Sequence, residues 1–197
     1  MTFVKFLAII SKMKERLLWL KEIGESILIS FLIVVLIRTF LFQPFLVKGE
    51  SMEPNIEGGN YLIIDEITPK IYQYQRGEIV VFKAPNKKDY YIKRIIALPG
   101  ERIVIKNGQI EIFNKDHPQG FKLDESAYLP QGTQTSGNID LTLQKDEYFV
   151  LGDNRSFSYD SRHWGPLKKE DIIGVARLRA WPFSSLAIFR YSFNFGN

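Results

Sequence analysis

The chain has 197 residues, no cysteine and two histidines; 45% of residues are hydrophobic, 24% charged and 14% aromatic. That composition excludes disulfides, zinc fingers, iron–sulfur clusters and a cysteine nucleophile, and it fits one compact domain with an appendage. The formal net charge of +4 is uneven: residues 1–42 hold six Lys/Arg against three acids, and residues 43–197 hold twenty against nineteen. The basic excess is N-terminal, so the total charge does not point to nucleic acid as a partner.

Residues 27–46, ILISFLIVVLIRTFLFQPFL, form an apolar run of twenty with one charge, Arg38. A helix rises 1.5 Å per residue, so ~20 residues match a ~30 Å hydrocarbon core. The run lacks the polar stripe of a buried soluble helix and is not followed by the small residues of a cleavage site. It reads as a membrane anchor over 26–46, with Pro44 ending or kinking the helix. Lys5, Lys12, Lys14, Arg16 and Lys21 precede it, while Lys48 alone follows as far as Tyr61. The positive-inside rule therefore places 1–25 in the cytoplasm and 47–197 outside. Residues 3–20 combine apolar and basic side chains, which suits a helix at the inner lipid surface or an extension of the anchor helix.

Beyond Val47 the pattern changes to short β-rich runs separated by turn residues. Residues 61–64, 78–82, 90–96, 102–105, 148–151 and 172–180 read as strands, and Asn107-Gly108 reads as a two-residue hairpin turn before Ile110 and Ile112. Residues 114–146 are poorer in pattern and read as an insertion or small subdomain, with 131–138 an exposed loop. The fold class is mainly β, an antiparallel catalytic domain behind one N-terminal transmembrane helix.

Three features could carry chemistry. Ser51 sits in VKGESMEP, two residues after Gly49, but position 53 is Glu, so the G-x-S-x-G elbow is incomplete. A serine here could equally be a cap or turn residue. Lys93 shares a strand face with Tyr91 and Ile95, while Arg94 takes the other. Desolvation on such a face would lower the amine pKa, whereas an edge strand would leave it solvated. The run GDNRSFSYDSRHWG at 152–165 alternates hydroxyls with Asp153, Arg155, Asp160 and Arg162, as a supporting network or as a solvated turn would.

Taken together, VKGESMEP at 47–54, RGEIVVF at 76–82, YIKRIIALPGE at 91–101 and GDNRSFSYDSRHWG at 152–165 resemble, in order, the sequence boxes of bacterial type I signal peptidases. The IRTFLFQPF run at 37–45 resembles them also. The resemblance covers about residues 25–181. It implies a signal-peptidase/LexA-like fold and a membrane-bound serine endopeptidase that removes signal peptides from secretory preproteins at the bacterial plasma membrane, without cofactor or metal. By the resemblance Ser51 is the nucleophile, Lys93 the general base, Ser158 the hydroxyl that orients the lysine, and Asp153, Arg155, Asp160 and Arg162 the charged support. Val47 and Ile92 would line shallow apolar pockets bordered by Met52 and Tyr91. Met52 and the aromatic run from Trp181 would meet lipid, or that run would pack as a terminal strand. The Ser51 N–H would form part of the oxyanion hole, but Gly49 stands where some members place a hydroxyl donor. Glu101 likewise replaces the more usual Asp.

Rival readings remain at this point. A Ser51–His163 triad with Asp140 or Asp153 is the enzymatic one. A LexA-like repressor would need a DNA-binding helix-turn-helix in place of the anchor. A membrane-tethered scaffold on the same fold would be inactive. The oligomeric state is not legible.

Overall fold

The computed structural model describes residues 2–40, 42–67, 71–85 and 88–191, with side chains throughout except in 2–12 and 36–43. Its two units are Met1–Leu41 and Phe42–Asn197. The first is a single helix, α1 (Thr2–Phe40). Ile27, Leu28, Ile29 and Phe31–Val35 are all exposed along it, so this part of the helix is apolar around its whole circumference. Among the described residues no helix is long and apolar enough to cross a membrane. The apolar run at 27–46 extends over 36–43, outside the described side chains.

One boundary differs from the sequence expectation. The last five residues of that run are not helical but form strand β1 (Phe42–Leu46), antiparallel to β2 (Tyr61–Asp65). Pro44 explains how: it cannot continue a helix, yet it is tolerated in a strand that pairs on one side only.

The second unit holds two sheets. The larger adds β3 (Ile79–Lys83), β4 (Tyr90–Ala97), β9 (Glu147–Leu151), β10 (Leu167–Lys168), β11 (Ile172–Trp181) and β12 (Ala187–Ile188) to the first two strands. Its order is β1-β2-β11-β3-β4-β9-β10, with β12 paired to β11. The Val/Ile/Phe-rich runs of β3 and β4 need cover on both faces, and one core is built on Ile56, Leu62, Ile64, Val80, Phe82, Ile95 and Val150.

The smaller sheet has the order β7-β6-β5-β8, from β5 (Arg102–Lys106), β6 (Gln109–Phe113), β7 (Phe121–Lys122) and β8 (Ile139–Thr142). Ile103, Ile105, Ile110 and Ile112 alternate inward onto a second core with Ile96, Phe149 and Leu151. Asn107 and Gly108 both have positive φ, the geometry of the predicted hairpin turn. This sheet starts at Arg102, upstream of the 114–146 stretch, because the β5–β6 hairpin pairs with β7 and β8 rather than with β4. Glu101 secures the junction: it is buried and accepts from Arg76 Nη2 at 2.6 Å, Asn114 Nδ2 at 3.0 Å and the Leu98 N–H at 2.8 Å.

Candidate active site

Ser51 opens a turn between β1 and β2. Gly49, at φ 87°, bends the chain into it, a conformation that costs a side-chain-bearing residue strain. Val47 N–H donates to Asn60 O at 2.9 Å and Gly59 N–H to Val47 O at 3.0 Å, closing the loop at its base. Met52 and Ile56, joined by an Ile56 N–H to Met52 O bond of 2.9 Å, both turn into the core and anchor the loop from below. Met52 is 1% exposed and does not line the cleft. This corrects its expected role beside substrate or lipid: on this turn its side chain is inward.

Lys93 lies mid-strand in β4 and is buried. Its Nζ is 2.7 Å from Ser51 Oγ and donates to Ile92 O at 2.8 Å. The Tyr91 ring centroid is 5.6 Å away. Burial pulls the Lys93 pKa from 10.5 down to about 8, against the opposing pull of the Asp160 and Asp153 charges. The ammonium is thus near its midpoint in mildly alkaline solution rather than locked in the charged form.

The third element is the segment from Gly152 to the single-turn helix Ser161–Trp164. It is tied to the serine turn by Asn154, whose N–H donates to Ser51 O and whose Nδ2 donates to Glu50 O, each at 3.1 Å. Gly152 sits where the pieces meet. A Cβ there would collide with Ser158 Oγ and Ser51 O. Ser158 is buried; among the described residues its hydroxyl makes no well-formed hydrogen bond, though it is near enough to the Asp160 carboxylate to help keep it ionised. Burial disfavours the Asp160 carboxylate, but Arg162 and the Gly152 N–H outweigh it and hold its pKa below the ordinary range. Arg162 reaches it from Nε at 2.8 Å and Nη2 at 2.9 Å, and the Gly152 N–H donates at 3.0 Å.

The charged residues of this segment do not pair with one another as their spacing suggests. Asp160 and Arg162 do, but Asp153 is bound by Arg94, through Nε at 2.8 Å and Nη2 at 2.6 Å, and by Asn55 Nδ2 at 2.8 Å. Arg155 instead meets Glu125 and Thr135. Asn55, Glu125 and Thr135 carry no local signal in the sequence, and Arg94, beside Lys93 in a strand, reads there only as pointing away.

A cleft of 610 Å³ runs over the Ser51–Lys93 pair, lined by Phe45, Val47, Leu62, Val81, Tyr91 and Ile92 among others. Three of the four predicted substrate residues, Val47, Tyr91 and Ile92, are therefore in it. Strand β9 pairs with β4 only from Arg94 onward, and β3 covers the other edge. Tyr90–Lys93 consequently present an edge unpaired by any described strand on the β9 side. Among the described residues the Ser51 N–H donates to no backbone acceptor.

The histidine triad does not assemble. His163 is exposed and its ring lies against Tyr159, with centroids 5.1 Å apart; His117 packs on Phe121 at 5.0 Å. Asp140 pairs with Arg102 on the exposed face of the small sheet. Ser51 Oγ has Lys93 as its partner instead.

Residues 20–181 match the family model described as signal peptidase, peptidase S26. The chain is 36% identical over 178 residues to signal peptidase I P of Bacillus subtilis subsp. natto, covering 85% of this chain and 90% of the relative. It is 33% identical over 192 residues to signal peptidase IB of Staphylococcus aureus (strain MRSA252), covering 92% and 96%. A solved signal peptidase I from Enterococcus faecalis V583 aligns at 28% identity and a TM-score of 0.43, over 53% of this chain and 97% of that one.

Proposed function

The chain belongs to the signal peptidase family, peptidase S26, and is a serine peptidase that cleaves signal peptides; from that premise we propose that Ser51 is the nucleophile and Lys93 its general base. The observation that carries this reading is the 2.7 Å separation of Lys93 Nζ from Ser51 Oγ in a buried setting. With a pKa of about 8, Lys93 is half neutral at that pH. An unperturbed lysine would be neutral to only ~0.4%.

In the first step neutral Lys93 takes the Ser51 hydroxyl proton as Oγ bonds to the scissile carbonyl carbon. The Ser51 N–H faces the developing oxyanion. The lysine then gives its proton to the leaving amine, the C–N bond breaks and an ester to Ser51 remains. Water, deprotonated by the same amine, hydrolyses that ester and restores the hydroxyl. Gly49 contributes no side-chain donor to the oxyanion.

The signal peptide lies extended along the open edge at Tyr90–Lys93, bound through its main chain as an added strand. Val47 and Ile92 accept small apolar side chains before the cut, with Tyr91 at the border. Asp153, Arg155, Asp160 and Arg162 hold the pair in register, and Ser158, buried beside Gly152, is the hydroxyl that orients the lysine. The apolar circumference of α1 over Ile27–Val35 supports a single membrane anchor reaching through the run's later residues, with the basic N-terminus cytoplasmic and the β unit at the outer face. Lipid and secretory preproteins are then its partners.

Incubating the detergent-solubilised protein with a secretory precursor and weighing the products by mass spectrometry tests this assignment. A single cut after the signal peptide by wild type, lost in both Ser51→Ala and Lys93→Ala, is the expected result. An unchanged cut in either variant contradicts the roles given to them.

A further inference from the structure

Glu125 lies outside every motif and in neither sheet, on a short turn after β7, yet it is a hub of partly buried hydrogen bonds. Its Oε2 accepts from Arg155 Nη1 at 2.7 Å, and its Oε1 from both Arg155 Nη2 and the Tyr128 hydroxyl. The Arg155 side chain is 2% exposed and that of Glu125 13%. A guanidinium so far from water needs a fixed anion, and Glu125 is the one that it meets. Thr135, buried, supplies a further oxygen to Arg155, and its N–H donates to Gly108 O at 3.0 Å in the β5–β6 turn.

Two routes lead from Glu125 to the dyad, both short. Along the first, Arg155 Nε donates to Gly152 O at 3.1 Å, fixing the residue packed against Ser158 Oγ and Ser51 O. Along the second, the Tyr128 ring lies 4.0 Å from the Arg94 guanidinium, which holds Asp153, while Tyr128 O accepts from Asn55 Nδ2, the other donor to Asp153. Gly152 and Asp153 are thereby gripped from both sides by a single carboxylate's contacts. That pair of residues leads the segment carrying Ser158 and Asp160.

We propose that Glu125 is a positioning residue for signal-peptide cleavage, acting through Arg155 and Tyr128 to hold the Gly152–Asp160 segment against the Ser51–Lys93 pair. The small sheet then acts as a brace for the active site through the turn at Glu125. The proposal rests on the Ser51–Lys93 reading given above. It requires a loosened segment to change how Lys93 titrates. The groups around that amine are Ser51, the Tyr91 ring, and Asp153 and Asp160 on the segment itself. Burial is the largest influence on Lys93. Admitting water therefore outweighs retreat of the two carboxylates and moves the amine back toward its ordinary value.

The experiment compares full-length Glu125→Gln, Glu125→Asp and Thr135→Val with wild type in detergent, on a peptide spanning a signal-peptide cleavage site. Asp140→Asn, which breaks the exposed small-sheet pair with Arg102, is the control. The expected result for Glu125→Gln is a kcat lowered ~10- to 100-fold with KM within about twofold, since small misplacements cost rate before binding. The rising limb of its pH profile should move to higher pH. Glu125→Asp should recover part of kcat, and Asp140→Asn should change neither quantity. If Glu125→Gln does not fold, Thr135→Val loosens Arg155 more gently and should show a smaller loss with the same direction of pH shift. Unchanged kcat and pH profile in folded Glu125→Gln, or in Thr135→Val where the first does not fold, would overturn the proposal, as would an equal kcat loss in Asp140→Asn. Failure of the dyad reading is separately visible, because Ser51→Ala and Lys93→Ala would then still cleave.

Discussion

Arg94 holds both oxygens of Asp153, at 2.8 and 2.6 Å, and neither side chain is more than 3% exposed. The pair ties the segment that begins at Gly152 to β4, one residue along from Lys93. Removing one partner of a buried pair strands the other charge, which costs ~3–5 kcal/mol, whereas replacing both with apolar groups of similar size is close to neutral. Arg94→Met should therefore unfold at clearly lower denaturant. Arg94→Met/Asp153→Leu should regain most of that stability and still cleave poorly. Denaturant titration alongside precursor cleavage checks both parts.

Gly152 offers a steric counterpart to that electrostatic test. A methyl group at its Cα would occupy the space of Ser158 Oγ and Ser51 O, inside a loop whose other bonds resist displacement. Gly152→Ala should keep the fold but push the serine turn off the lysine. A loss of ~10²-fold in kcat is the expected scale for a shift near 1 Å. Wild-type turnover in Gly152→Ala would mean that the contact has no catalytic consequence.

The low pKa of Lys93 has a stability cost with a definite sign. Folding lowers its pKa from 10.5 to about 8, so between those values the unfolded chain binds more protons than the folded one. Stability then rises as pH climbs from 8 toward 10.5, and below 8 the native state carries the full penalty, ~3 kcal/mol at most. Lys93→Met removes the charge at similar volume. It should abolish cleavage and raise the thermal midpoint at pH 7, with the difference from wild type shrinking by pH 10. Scanning calorimetry at the two pH values reads this directly.

How much of this was legible beforehand depended on whether the signal was local. Ser51, Lys93 and the 152–162 run stand in short ordered motifs, and the alternation of Ile103, Ile105, Ile110 and Ile112 marks a hairpin by itself. The partners of the charged residues were not legible: Arg155 meets Glu125 thirty residues upstream, and Asp153 meets Arg94 fifty-nine upstream. Sequence adjacency instead suggests pairing within the motif, which only Asp160 and Arg162 obey. Met52 was misplaced because an apolar side chain on a turn suits a pocket or a core equally, and no periodicity chooses between them. The strand at Phe42–Leu46 was hidden for a similar reason, since an apolar run suits both lipid and a sheet.

The most direct measurement of the central claim, that Lys93 deprotonates Ser51, is the pH dependence of kcat/KM for cleavage of a signal peptide. From pH 6 the rate should climb about tenfold per unit, bend near 8, where the amine is half neutral, and stay level to 10. A profile flat across that range would contradict a lysine base.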